Sequence, residues 1–215
     1  MVIERSVNRV HSEAQQVPGL EIRRKPASAE TLLDPERIGV FGESSGGNYA
    51  AMVCTAAGSA LFDDPDLGDL SYPCDVQAVI DWYGPTDLSK MDKHLEESGL
   101  GPGDHGRADS MESQYLGASP SKVPDRVRAA NPITYIDERM CPILIQHGTA
   151  DSVVPFQQSV EFAEAIARRV GSERYELDLL EGAVHDDPAF LTDQNFERML
   201  RFLERWLDRP SGQRG

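Results

Sequence analysis

Ile38-Gly39-Val40-Phe41-Gly42-Glu43-Ser44-Ser45-Gly46-Gly47 is a short apolar run that breaks abruptly into glycines and serines. An apolar run of strand length ending in small residues reads as a buried strand that turns sharply. The next ten residues, Asn48-Tyr49-Ala50-Ala51-Met52-Val53-Cys54-Thr55-Ala56-Ala57, are mostly small and suit a helix packed closely on a sheet. Strand, turn and helix in that order, with Gly42-Glu43-Ser44-Ser45-Gly46 at the apex, fit the nucleophile elbow G-x-S-x-G. In that motif a strained serine stands exposed above a parallel sheet, and the glycines flank it because the turn leaves no room for side chains. The pentapeptide also arises by chance, and an ordinary Gly/Ser turn is the plain alternative. The strand before it and the helix after it weigh against that alternative.

Working outward, Asp34-Pro35-Glu36-Arg37 makes a turn into the strand, and the stretch before it carries no strong period. Within residues 1–33, Glu21 to Pro26 could form a short edge strand and Ser28 to Leu33 a helical turn. Downstream, Asp75 to Tyr83 reads as a second strand closed by Gly84-Pro85, after an acidic loop from Phe62 to Pro73. Pro142 to His147 is a third, buried strand, and Tyr175 to Leu180 alternates as a fourth nearer an edge. Val160, Ala163, Ile166, Ala167 and Val170 share one face of a helix between them. Phe196, Met199, Leu200, Leu203, Trp206 and Leu207 form an apolar stripe on a last helix, expected to pack in the core.

Helices alternating with short apolar strands predict an α/β three-layer sandwich with a mostly parallel sheet. From Thr86 to about Ile136 the chain is rich in Gly, Pro and Asp with no clear strand. That is too long for a simple connection, so residues 86–136 are expected to be a cap or lid inserted after the second strand. The expected organisation is an unfamiliar leader at 1–33 followed by one unit at 34–210.

The chain has 215 residues and a formal net charge of −15, which disfavours nucleic acid as a partner and weakens encounters with anionic substrates. The start Met-Val-Ile-Glu-Arg-Ser lacks an apolar signal core, and no apolar run reaches spanning length. The expectation is a cytoplasmic protein with no membrane span. Cys54, Cys74 and Cys141 form no C-x-x-C pair and no zinc-type cluster with histidine, so neither a metal nor a cofactor is expected. Buried reduced thiols are the default, with a Cys74–Cys141 bridge left open.

A serine hydroxyl is a poor nucleophile near neutral pH and needs a general base, which in turn needs an orienting acid. On a sheet of this kind the partners follow in the order Ser, Asp or Glu, His, each in a loop after a later strand. Asp151 in His147-Gly148-Thr149-Ala150-Asp151 follows the third strand, and His185 in Gly182-Ala183-Val184-His185 follows the fourth. Alone, Asp151 could cap a turn and His185 could be a solvated loop histidine. Together, at strand ends on the same sheet edge as Ser44, they form a candidate set. His147 is better suited to a structural role; Asp81 and Asp87 are reserve acids, Asp87 the better placed. The backbone N–H of Ser45 is the candidate oxyanion donor.

Residues 34–207 resemble the second half of an α/β-hydrolase esterase, in the group that includes hormone-sensitive-lipase-like carboxylesterases and bacterial feruloyl-esterase-like hydrolases. The matching stretches are Asp34 to Ile38 leading into Gly42 to Gly47, Asp81-Trp82-Tyr83-Gly84-Pro85-Thr86-Asp87-Leu88, His147 to Asp151 with Val154-Pro155, and Gly182 to His185. The resemblance implies Ser44 as nucleophile, Asp151 as acid and His185 as base, acting on a small-molecule carboxylic ester. A prolyl-oligopeptidase-like peptidase shares parts of these motifs, and a catalytically impaired remnant acting only as an interaction protein is the third reading. The family's upstream His-Gly-Gly loop, which supplies much of its oxyanion hole, does not occur before Ser44. Only 43 residues precede that serine, so the N-terminal strands are expected to be missing or reduced. An exposed sheet edge would then invite a homodimer.

Overall fold

Four strands lie side by side in chain order, all parallel: β1 (Gly39–Glu43), β2 (Ala78–Trp82), β3 (Ile143–Gly148) and β4 (Tyr175–Leu180). The computed structural model describes residues 36–57 and 74–208, with Asp34, Ser59 and Asp66. The leader expected at 1–33, with its edge strand and helical turn, lies outside the described residues, as does most of the loop 62–73.

β2 and β3 are buried at every position, whereas β1 and β4 are partly exposed. Strands covered on both faces need apolar residues at successive positions, which is why 76–83 and 142–147 read as continuous apolar runs. Successive side chains point to opposite faces. Val79, Ile143 and Ile145 pack beneath helix α1 (Ser45–Ala56), through Ala50, Ala51 and Cys54, and helix α5 (Gln157–Val170), through Phe162 and Ile166. Ala78, Ile80, Trp82 and Leu144 face the other way, onto Met199 and Phe202 of helix α6 (Asp193–Leu207). Helices therefore cover both faces of an open, parallel sheet, as the sequence predicts.

The α6 stripe is only partly core. Met199 and Phe202 are buried, but Phe196 and Leu200 are 42% and 51% exposed. A straight helix on a sheet buries only the arc facing it, and Phe196 and Leu200 lie one turn apart on the margin of that arc.

Between β2 and β3 run three short helices, α2 (Met91–Ser98), α3 (Met111–Leu116) and α4 (Pro124–Ala130), and no strand. They gather a small apolar cluster of their own, Leu88, Leu116, Val127 and Ala130. Polar clamps tie this segment to the body. The buried Gln158 side chain of α5 accepts from the N–H groups of Thr86 and Asp87 at 2.9 and 2.7 Å and donates to Asp87 O. Asn48 of α1 donates to Pro85 O and Ala130 O. None of the three cysteines forms a disulfide, so the Cys74–Cys141 bridge is not made; Cys141 Sγ lies 3.5 Å from Cys54 Sγ.

Candidate active site

Ser44 occupies the turn between β1 and α1 at φ 53°, ψ −122°, a conformation that L residues rarely adopt. The turn closes tightly: a Cβ on Gly42 would lie 1.9 Å from Gly46 O, and one on Gly47 would lie 2.2 Å from Asp81 Oδ1. Gly46 is different, because a Cβ there would meet nothing within 4 Å. The sequence motif counts Gly46 as a steric requirement, and the geometry moves that requirement to Gly42 and Gly47. Ser44 N–H donates to Trp82 O at 2.9 Å, fixing the turn to the end of β2.

Ser44 is also the N-cap residue of α1, yet its hydroxyl makes no cap bond. Serine at this position ordinarily accepts from a first-turn N–H, a contact worth ~1 kcal/mol. Here the hydroxyl reaches His185 Nε2 at 3.0 Å instead. The first N–H groups of α1, beginning with Ser45, have no intrahelical acceptor and carry the positive end of the helix dipole.

His185 donates from Nδ1 to Asp151 Oδ2 at 2.7 Å, which leaves Nε2 as the acceptor for the serine proton. Two interlocked loops set this geometry. Thr149 and Ala150 N–H donate to Leu180 O and Ala183 O, and Gly182 N–H donates to Thr149 Oγ1. The loops approach so closely at Gly148 that a Cβ there would sit 2.3 Å from Ala183 O. Asp187 holds the far side of the histidine loop by accepting from Val184 N–H and Ala189 N–H.

Asp151 is fully buried. Burial alone would raise its carboxyl, but hydrogen bonds from His147 and His185 outweigh it and hold the group at about 2. Its other oxygen accepts from Val153 and Val154 N–H, both at 2.8 Å. His147, also fully buried, places Nε2 2.7 Å from Val154 O and 3.4 Å from Asp151 Oδ2. A carbonyl can only accept, so Nε2 carries the hydrogen and Nδ1 faces the Ser159 hydroxyl at 2.7 Å. His147 thus has the structural role its position before Gly148 suggests, and it supports the acid as well.

The two reserve acids stand apart from His185. Asp87 accepts from Ser89 N–H and Oγ–H. Asp81 is buried beneath the Ser44 turn, where Oδ1 accepts from Gly84 N–H and Oδ2 has no hydrogen-bond partner. Burial pushes its carboxyl up to about 7, against a lowering contribution from Gly84. Tyr83, which sequence reasoning passes over, lies with its ring centroid 4.6 Å from that of His185. Its only local signal is its place at a strand end before Gly84-Pro85. Ser44, Tyr83 and Asp186 are the non-glycine residues of positive φ among those described, and all three adjoin His185 in space or sequence. Each such conformation costs ~1 kcal/mol or more, and such strain gathers at functional sites. Among the described residues, no group of three His, Cys, Asp or Glu could hold a metal ion, and no helix is long and apolar enough to cross a membrane.

A family model described as BD-FAE matches residues 25–166. The chain belongs to the BD-FAE family. Over 135 residues it is 31% identical to the esterase LipQ of Mycobacterium tuberculosis, covering 62% of this chain and 29% of that protein. It is 29% identical over 167 residues to a probable isoprenylcysteine alpha-carbonyl methylesterase, ICMEL1, of Arabidopsis thaliana, covering 77% of this chain and 33% of that protein. A truncated carbohydrate esterase from gut microbiota superposes with a TM-score of 0.70 at 30% identity, over 82% of this chain and 62% of that one. The fold is that of the esterases of the α/β-hydrolase superfamily. This BD-FAE chain spans about a third of the length of the curated relatives it matches.

Proposed function

We propose that this chain is a serine carboxylic-ester hydrolase that cleaves small or aromatic carboxylic esters through an acyl-serine intermediate. Ser44 is the nucleophile, His185 the general base and Asp151 the acid that orients it. The observation that carries this reading is the serine hydroxyl turned away from its own helix and onto His185 Nε2 at 3.0 Å, with Asp151 at 2.7 Å behind the ring.

In the first step Ser44 Oγ attacks the ester carbonyl as its proton passes to His185 Nε2. The tetrahedral oxyanion forms beside the Ser45 N–H at the positive end of α1. Collapse expels the alcohol, which takes the proton back from His185. Water then attacks the acyl-serine by the same route and releases the acid. Asp151 stays ionised throughout and stabilises the imidazolium. Ser45 is the one oxyanion donor assigned, and a single donor of this kind is worth ~10²–10³ in kcat elsewhere. The segment 86–136 is the cap of this unit and shapes its pocket. A second copy adding to a sheet edge is part of the same proposal, and a single-chain mass by light scattering removes that part.

p-Nitrophenyl acetate and butyrate assayed with wild type and Ser44→Ala test the reading. Hydrolysis that disappears with the hydroxyl supports it, and equal rates for the two proteins overturn it.

A further inference from the structure

Hydrogen bonds at Nδ1 and Nε2 fix the two ends of the His185 imidazole, but both lie along one line through the ring. Rocking about that line is then resisted by the Cγ–Cβ bond to the loop, and a contact on the ring itself adds to what sets its tilt. The Tyr83 ring meets His185 at 4.6 Å between centroids and 60° between planes. It packs against Phe190 at 4.8 Å and 75°. The base is therefore backed by an aromatic pair that continues into the core beneath α6.

Backbone pairing and burial fix Tyr83 itself. Its N–H donates to Gln146 O at 2.8 Å, which ties it to β3. The residue is 2% exposed, and Glu43, the residue before Ser44, is among the carboxylates near its hydroxyl. Burial raises the phenol, and the nearby carboxylates of Glu43, Asp186 and Asp151 raise it further, so the hydroxyl remains a donor. The backbone stands at φ 43°, where a tyrosine is strained. A tyrosine serving only as core filling at the end of a strand has no need of that conformation. Here it turns the ring onto His185 and Phe190.

We infer that Tyr83 is a positioning residue for the proposed reaction, its ring, held against Phe190, setting the tilt of His185. The inference rests on His185 being the base, and its test separates the two. The test uses Tyr83→Asn and Tyr83→Gly, both suited to a positive φ, so that loss of the ring is not confused with backbone strain. Tyr83→Phe keeps the ring and removes only the hydroxyl.

Two readouts apply: kcat and KM on p-nitrophenyl acetate, and the proton resonance of the His185 Nδ1–H held by Asp151, assigned by its loss in His185→Gln. In the Asn and Gly variants kcat is expected to fall about 10²-fold, the size of a small misplacement of a catalytic group, with KM changed far less. The resonance is expected to shift or broaden. In Tyr83→Phe the resonance stays and kcat falls less than about tenfold, because the ring contact with His185 is kept. An unchanged resonance in whichever ring-deleted variant folds, judged by circular dichroism, overturns the inference whatever the rates do. If wild type shows no Ser44-dependent turnover, the proposed function fails and the resonance alone decides the role of Tyr83. Where wild type does turn over, a displaced resonance with wild-type kcat also overturns it.

Discussion

Asp151 and Asp81 are two carboxylates at equal depth, both 0% exposed, one just past the end of β3 and the other inside β2. Their carboxyls move in opposite directions, Asp151 to about 2 and Asp81 to about 7. Burial pushes both upward, so burial does not decide the outcome. The partners do. Asp151 faces two backbone N–H groups and two imidazoles, whereas Asp81 has the single N–H of Gly84 and an oxygen with no partner. A buried carboxylate stays ionised only when donors replace the water it has lost. Asp151 is suited to carry its charge beside His185, as the proposed mechanism requires, and Asp81 is suited to be neutral below about pH 7.

Replacement of each carboxyl by its amide should break this symmetry most sharply. Asp151→Asn places an NH₂ opposite the Nδ1–H of His185 and favours the wrong tautomer. A kcat loss of ~10³–10⁴ is expected on p-nitrophenyl acetate, as for orienting acids of this kind. A loss of less than about tenfold would remove Asp151 from the mechanism.

Asp81→Asn should act on stability. A carboxyl raised from 3.8 to about 7 favours folding fully below the unfolded value, and that advantage is lost as pH rises from 3.8 to about 7. Above that window the native state carries a penalty of a few kcal/mol. The amide variant should therefore melt higher than wild type at about pH 8, with the difference shrinking as pH falls toward about 4. Thermal melts at both pH values check this, and a variant that melts lower at about pH 8 would contradict it.

The smallest effect is expected at Asp187, an exposed carboxylate whose cap bonds to Val184 and Ala189 hold the histidine loop. Its carboxyl is lowered by those same backbone N–H groups. Asp187→Ala should destabilise slightly, as a lost cap does, and lower kcat modestly through His185. Urea unfolding measures the first effect and the ester assay the second. No change in either would leave the loop fixed by the Thr149–Gly182 interlock alone.

The fold was legible because its signals are local and periodic. The runs 38–41, 75–83, 142–147 and 175–180 announce strands, and the helical spacing of apolar residues from Val160 to Val170 announces α5. The order Ser44, Asp151, His185 was legible for the same reason, since each residue follows an apolar run at a turn. What could not be read depends on how each turn closes and on which residues meet across the sheet. Most of the partners that separate Asp151 from Asp81 are near in sequence, His147, Val153 and Val154 against Gly84. But no apolar run announces which turn folds its N–H groups onto its own carboxylate, and His185 reaches Asp151 from 34 residues away. Tyr83 carries no motif of its own; its role comes from a positive φ and from contact with a loop a hundred residues away. Likewise, the exposure of Phe196 and Leu200 follows from the angle at which α6 meets the sheet, which an apolar stripe does not specify.

The most direct test of the central claim is mass spectrometry of the protein after exposure to a fluorophosphonate, which phosphorylates activated serines. The account predicts one adduct per chain on the peptide containing Ser44, with labelling slowed strongly in His185→Gln and Asp151→Asn. Absence of an adduct, or an adduct on another serine at the same rate in all three proteins, would contradict it.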